Sequence, residues 1–217
     1  MIRAPKGLVL MLAGLAVISV SRTTPVSASK PQIGDLTPIQ LNPGVNTVPN
    51  FSGDGRDAII AYAWRDTGNA HGYNLILVMM PTARDKHDWN VVSVVPADSG
   101  ESPQDVVSDN PHTLEDAIRS VRLARGVVDG RRSTLLIIST RAFPDTGALS
   151  DPSIVTFEIY RLQSAASPVG ETHDIFKRIS AWSSTNRFCN SEMALSNELG
   201  WPLSSDYEGP KTPDGCE

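Results

Sequence analysis

Leu41–Met80, LNPGVNTVPNFSGDGRDAIIAYAWRDTGNAHGYNLILVMM, decides how the rest of the chain is read. Asn42-Pro43-Gly44 and Gly53-Asp54-Gly55 are turn sequences, because Pro presets φ and Gly supplies the positive φ that other residues resist. After them come two apolar runs of strand length, Ala58–Arg65 and Tyr73–Met80, joined by the polar stretch Asp66–His71. The pattern predicts a turn-rich β-ribbon with a polar loop at one end.

Upstream, Met1–Ala28 reads as a secretory signal peptide. Arg3 and Lys6 form a basic start, and Gly7–Val20 is apolar but short for a membrane span. Val26-Ser27-Ala28 offers the small residues expected before a cleavage point. Cleavage there leaves Ser29–Glu217 with no stable membrane span and a periplasmic or extracellular location. It also removes three cations and no acid, so the net charge moves from −5 to −8. An acidic exported domain of this kind disfavours nucleic acid as a partner.

Ser29–Glu217 is long enough for one domain with its own core, and no linker divides it. Downstream of the ribbon, Trp89–Val95, Ser133–Arg141, Ser153–Leu162 and Ile175–Ser183 are strand candidates, and Asp129-Gly130 marks a tight turn. Pro96–Pro111 is an acidic loop. A helix is expected from Thr113: Glu115 and Asp116 occupy its first turn, and Leu114, Ile118 and Val121 share a face. Arg119, Arg122 and Arg125 follow, and Gly126 ends it. A second, short helix is expected to be capped by Asn190 and to run through Leu199, ended by Gly200 and Pro202. The class is therefore α+β: a single domain, mostly antiparallel β, with one long and one short helix. Cys189 and Cys216 are the only cysteines and in an exported chain form a disulfide.

Catalytic signatures are thin. Three triplets resemble those of serine β-lactamases, but Ser27-Ala28-Ser29-Lys30 straddles the cleavage point, and Lys211-Thr212-Pro213 has Pro where Gly is needed. Ser108-Asp109-Asn110 stands alone. His71, His87, His112 and His173 are scattered, without metal-ligand spacing, and no G-x-S-x-G elbow occurs. Two constellations remain. Asn50, Ser52, Asp54 and Asp57 carry oxygens on a Gly-rich turn and form a candidate calcium site, although the same residues also make an ordinary Asp/Gly turn. Trp64, Arg65, Asp66, Asn69 and His71 cluster at the end of the ribbon and form a candidate ligand patch. A purely structural loop is the competing reading.

The ribbon carries a resemblance. Gly44-Val45-Asn46, Asp54-Gly55-Arg56-Asp57, Trp64-Arg65 and Asn69-Ala70-His71-Gly72 resemble the carbapenem self-resistance proteins of the CarG type. The resemblance covers about forty residues, and beyond Val95 it extends only to the order of elements. It implies an exported immunity protein that protects against a carbapenem without hydrolysing it, by sequestration or with a companion resistance protein. Two other readings stand beside it: an exported hydrolase whose active site is assembled from distant residues, and a partner-binding module using the Pro96–Pro111 loop.

Overall fold

Asp129 and Gly130 both adopt left-handed backbone, with φ of 52° and 72°. Two such residues in a row make the tight turn that suits the right-handed twist of paired strands. They join the long strands at the centre of the domain. The computed structural model describes residues 30–68, 71–96, 102–110, 118–148, 150–165, 172–203 and 216. The signal-peptide expectation, Met1–Ala28, lies outside them.

In chain order the strands are β1 (Ile33–Pro38), β2 (Gly44–Val48), β3 (Ala58–Arg65), β4 (Tyr73–Pro81), β5 (Trp89–Val91), β6 (Ser93–Val95), β7 (Val107–Ser108), β8 (Arg119–Val128), β9 (Arg131–Arg141), β10 (Ser153–Ser164) and β11 (Asp174–Phe188). The helix α1 (Ser191–Leu199) follows. The strands make two sheets, one ordered β1-β8-β9-β10-β11-β6 and the other β2-β3-β4-β5, with β7 pairing β4 beside β5. Pairing is antiparallel except between β11 and β6. No described helix is long and apolar enough to cross a membrane.

The domain has three layers. Ile60, Ile76, Val78 and Met80 of the smaller sheet pack with Val121, Leu123, Leu136, Ile138, Tyr160 and Phe176 of the larger one. The far face of the larger sheet presents Ala124, Leu135, Ile137, Phe157 and Ile159 to Met193, Ala194 and Leu195 of α1 and to Trp201. Strands β8 and β9 are thus buried on both faces, which is why β9 reads as a nearly unbroken apolar run. Phe157 stacks on Trp182 of β11 at 5.0 Å.

The mostly antiparallel α+β class holds, with one correction: among the described residues a strand stands where the long helix was expected. Thr113–Ala117 lies outside the described residues, and Arg119–Val128 is a strand. Arginines spaced by three look helical, but here they serve different partners. Arg122 pairs with Glu192 of α1, while Arg125 donates to the carbonyls of Pro49 and Asn50. Gly126 does not end a helix. It sits mid-strand because a Cβ there would stand 3.0 Å from Ile33 Cγ2 and 3.1 Å from Leu135 Cδ1. The short helix forms where expected. Asn190 accepts a 2.8 Å hydrogen bond from the Met193 amide, and Gly200, at φ 65°, closes the other end.

Two further stretches differ from expectation. Trp89–Val95 is split between the sheets, with β5 pairing β4 and β6 pairing β11. The Pro96–Pro111 loop is partly folded back: Gln104 bridges to Val94, β7 joins β4, and Asp109 is buried. Cys189 and Cys216 form the disulfide.

Candidate functional site: the cleft between the sheets and the helix

Strand β1 ends early. It pairs with β8 only as far as Pro38 opposite Ala124, and Ile39 then donates its amide to the Leu123 carbonyl. The chain next crosses to the smaller sheet and leaves the outer edge of β8 beside Val121 and Arg122 without a strand partner among the described residues. A cleft of about 480 Å³ opens there. Its walls are Ile39–Leu41, the β3 and β4 residues Tyr62, Asn74 and Ile76, Asp109 after β7, Val121–Leu123, and Glu192, Leu195 and Trp201–Leu203. The volume suits a small organic molecule.

Each polar wall has its own support. Asp109 accepts from the Asn74 amide at 2.7 Å and from Asn74 Nδ2 at 2.8 Å, so both carboxylate oxygens hold the β4–β7 junction. Arg122 Nη1 donates to its neighbour's carbonyl, Val121, at 3.0 Å, and Nη2 bonds Glu192. Glu192 is placed by the anchoring of α1. Ser191 Oγ lies 2.6 Å from Ser120 Oγ, Ser139 Oγ donates to the Ser191 carbonyl at 3.3 Å, and buried Arg141 donates to the Cys189 carbonyl. Both ion-pair side chains stay partly exposed to the cleft. Burial raises the Tyr62 phenol above its usual pKa; the Arg122 charge opposes this, and Asp109 and Glu192 add to it. Tyr62 therefore stays a neutral hydroxyl through the physiological range.

The arrangement joins one guanidinium, already facing a carboxylate, to a neutral phenol and an apolar wall that includes Ile39, Leu195 and Trp201. Such a set can take an organic anion, with the guanidinium exchanging its internal partner for the ligand's. Sequence reading missed Tyr62, Asp109, Arg122, Glu192 and Trp201, which come from six separate segments together with Ile39–Leu41. Asp109 stood out only within the Ser108-Asp109-Asn110 triplet, and the spacing of Arg122 pointed to a helix.

The described ribbon-end residues, Trp64, Arg65, Asp66 and His71, lie at the tip of the β3–β4 hairpin. Trp64 pairs in register with Asn74, a cleft residue, and is 54% exposed. Its ring covers Gly72, where a Cβ would stand 2.2 Å from Cζ2. Arg65 leaves by the opposite face, lying over the Tyr73 ring at 5.4 Å and donating to its hydroxyl at 2.6 Å. Asp66 accepts from the Gly68 amide at 2.8 Å. His71 is exposed, and Asn69 lies outside the described residues. None of the four described ones lines the cleft itself.

The candidate calcium oxygens are engaged within their own loop. Asn50 Oδ1 accepts from the Gly55 amide and Asp57 Oδ1 from the Asn50 amide, both at 2.8 Å. Ser52 donates to Asp54, whose other oxygen takes Arg56 Nε at 2.9 Å. A calcium ion needs about six to eight oxygens and would have to displace the Arg56 cation to reach Asp54. These residues fit a turn better than a calcium cage. No cluster of three or more His, Cys, Asp or Glu residues suited to a metal occurs among the described residues.

No protein-family model matches the chain, and no curated protein matches it. Among solved structures, the crystal structure of CarG is similar over 79% of this chain and 98% of that one, with a TM-score of 0.59 and 15% sequence identity. At that identity the likeness is one of backbone architecture, and it establishes that this chain has a CarG-like fold.

Proposed function

We propose that this protein is an exported, non-hydrolytic self-resistance protein of the CarG type that sequesters a small carboxylate-bearing ligand, a carbapenem by resemblance, in the cleft beside α1. The observation that carries this reading is the cleft's composition: Arg122 paired with Glu192, next to Tyr62 and an apolar wall closed by Trp201. A carboxylate would bond the Arg122 fork, and a small ring system would rest on the apolar side. Of the sequence-predicted ligand patch, Trp64, Arg65, Asp66 and His71 lie at the tip of the β3–β4 hairpin, and Trp64 pairs in register with Asn74, a cleft residue. Export through Met1–Ala28 agrees with the Cys189–Cys216 disulfide, which needs an oxidising compartment.

The test is to titrate purified Ser29–Glu217 with a carbapenem by calorimetry while following the absorbance of its ring. Saturable heat with constant absorbance is expected. Absence of heat at millimolar ligand would defeat sequestration, and absorbance loss with turnover would make the protein an enzyme.

A further inference from the structure

Rows of side chains cross the inner face of the larger sheet, and they turn polar towards one end. Leu123, Leu136 and Tyr160 lie in register on β8, β9 and β10 and belong to the core between the sheets. The next row, Val121, Ile138 and Glu158, is mixed. The row after it is wholly polar: Arg119 lies opposite Thr140, Thr140 opposite Thr156, and Thr156 opposite Ser183 of β11. Arg119 and Thr140 are half-buried, whereas Thr156 and Ser183 are exposed, so this end of the face is open. The Thr156 and Ser183 hydroxyls meet at 3.4 Å.

Arg119 is the unsatisfied member of that row. Its Nε is cut off from solvent and has no hydrogen-bond partner among the described residues, and the guanidinium forms no ion pair among them. The side chain as a whole is only half-buried, which leaves the Nη edge as its accessible end. The carboxylates near it are engaged elsewhere. Glu158 accepts from Arg178 at 2.8 Å and from the Tyr160 hydroxyl at 3.2 Å, and Asp109 holds Asn74. Arg119 and Arg178 both act electrostatically on the Tyr160 phenol, so the two cations share one neighbourhood. With Glu158 as the carboxylate between them, a local surplus of positive charge remains in a chain whose net charge is −5. A partly buried cation with an unmet donor carries a desolvation cost that nothing among the described residues offsets.

We propose that Arg119, with Thr140 beside it, is a binding site for a small tetrahedral oxyanion, a phosphate or sulfate group. The donors come from two strands about 4.8 Å apart: the Nη groups from β8 and a hydroxyl from β9. A tetrahedral anion presents oxygens in several directions and meets donors arranged this way, whereas a carboxylate presents its oxygens in one plane. Guanidinium is also the side chain whose fork matches phosphate. Exposed Thr156 and Ser183 continue the row, so an ester substituent on the oxyanion has a polar strip of sheet to lie along. The site is separate from the cleft beside α1: Val121 lines that cleft, but none of Arg119, Thr140, Thr156 and Ser183 does. Arg122 leaves β8 by the opposite face, where it meets Glu192.

The test follows the Arg119 Nε–H of Ser29–Glu217 by proton–nitrogen NMR at constant ionic strength, with the resonance assigned through its own side-chain carbons. Inorganic phosphate should shift it saturably, with half-effect at about 1–10 mM, the strength that a few charge-assisted hydrogen bonds give in a half-exposed site. Chloride should leave it in place. Glycerol phosphate separates two sources of the anion: tighter binding than inorganic phosphate marks a phosphate ester as the ligand, and equal binding marks the free anion. Thr140→Val, which keeps the residue's shape, should weaken phosphate binding by about threefold to tenfold. Phosphate also stabilises proteins by exclusion from their surface, so thermal midpoints are compared between variants. The rise with phosphate should be larger in wild type than in Arg119→Gln. A wild-type resonance that ignores phosphate overturns the proposal, because the guanidinium is then satisfied within the chain. So does an equal rise in midpoint for wild type and Arg119→Gln. A phosphate effect lost in Arg122→Ala but kept in Arg119→Gln would put the anion in the cleft, and that also overturns it.

Discussion

Arg56 and Asp174 are 118 residues apart in sequence and meet through two hydrogen bonds, of 2.5 and 3.0 Å, between the start of β3 and the start of β11. The contact ties the smaller sheet to the larger at the edge of their shared core. Arg56 also donates to the Pro81 carbonyl at 3.1 Å and pairs with Asp54, so one guanidinium fastens β4, the turn before β3 and β11. Hydrogen bonding to Asp174 raises the Arg56 pKa above its ordinary value despite burial. Removing one member of a largely buried pair strands the other charge. In Asp174→Ala the guanidinium keeps Asp54 and the Pro81 carbonyl, so the loss is that of two charge-assisted hydrogen bonds, about 2 kcal/mol, read as a lower urea midpoint with an unchanged slope. Arg56→Leu leaves two carboxylates behind, but Asp54 is half exposed and stays solvated. Its loss comes from stranding Asp174 and should be of similar size.

A pH dependence follows from the same loop. Burial tends to raise the Asp54 carboxyl, but hydrogen bonds from Ser52 and from the Arg56 amide and guanidinium, with the arginine charge, outweigh it and hold the pKa below 3.8. A depressed carboxylate pKa gives stability that is fully present above the unfolded value of 3.8 and is lost as pH falls through the lower folded value. The melting temperature of the wild-type protein should fall more steeply below about pH 4 than that of Asp54→Asn. Parallel curves would mean that Asp54 contributes nothing through its charge.

The β3–β4 hairpin is legible in sequence because its signals agree: turn residues, apolar runs and strand length all point one way. The short helix is legible for the same reason, with Asn190 at one end and Gly200 at the other. Strand β8 is not, because Arg119, Arg122 and Arg125 recur at a helical interval while the partners of the last two are supplied by α1 and the β2–β3 connection. Trp89–Val95 hides a switch between sheets, since neither half carries a breaker residue. The cleft is illegible for a deeper reason. Its polar members, Tyr62, Asn74, Asp109, Arg122 and Glu192, are each unremarkable locally and become a site only through long-range pairing.

Gly72→Ala probes how the hairpin tip is packed. The new Cβ would overlap the Trp64 ring at 2.2 and 2.6 Å and press on the Arg65 carbonyl at 3.1 Å. The ring is more than half exposed and can swing away, so the stability loss should be modest, about 1 kcal/mol. The sharper readout is fluorescence: emission from Trp64 should shift to the red as the indole leaves its seat. An unchanged spectrum would show that the ring does not rest on Gly72 in solution.

Arg122 and Glu192 should affect ligand binding in opposite directions. In the free protein the guanidinium is held by Glu192, and a ligand carboxylate must displace that contact. Arg122→Ala removes the charge-assisted bond to the ligand, worth about 1.5–3 kcal/mol, so affinity for a carboxylate ligand should fall by about tenfold to a hundredfold. Glu192→Gln keeps the shape of the helix face but removes the competing charge, and should tighten binding by a few fold. Calorimetry with each variant separates the two effects. If Glu192→Gln weakened binding as much as Arg122→Ala, the ion pair itself would be the feature recognised, and the ligand would carry a cationic group as well as its carboxylate.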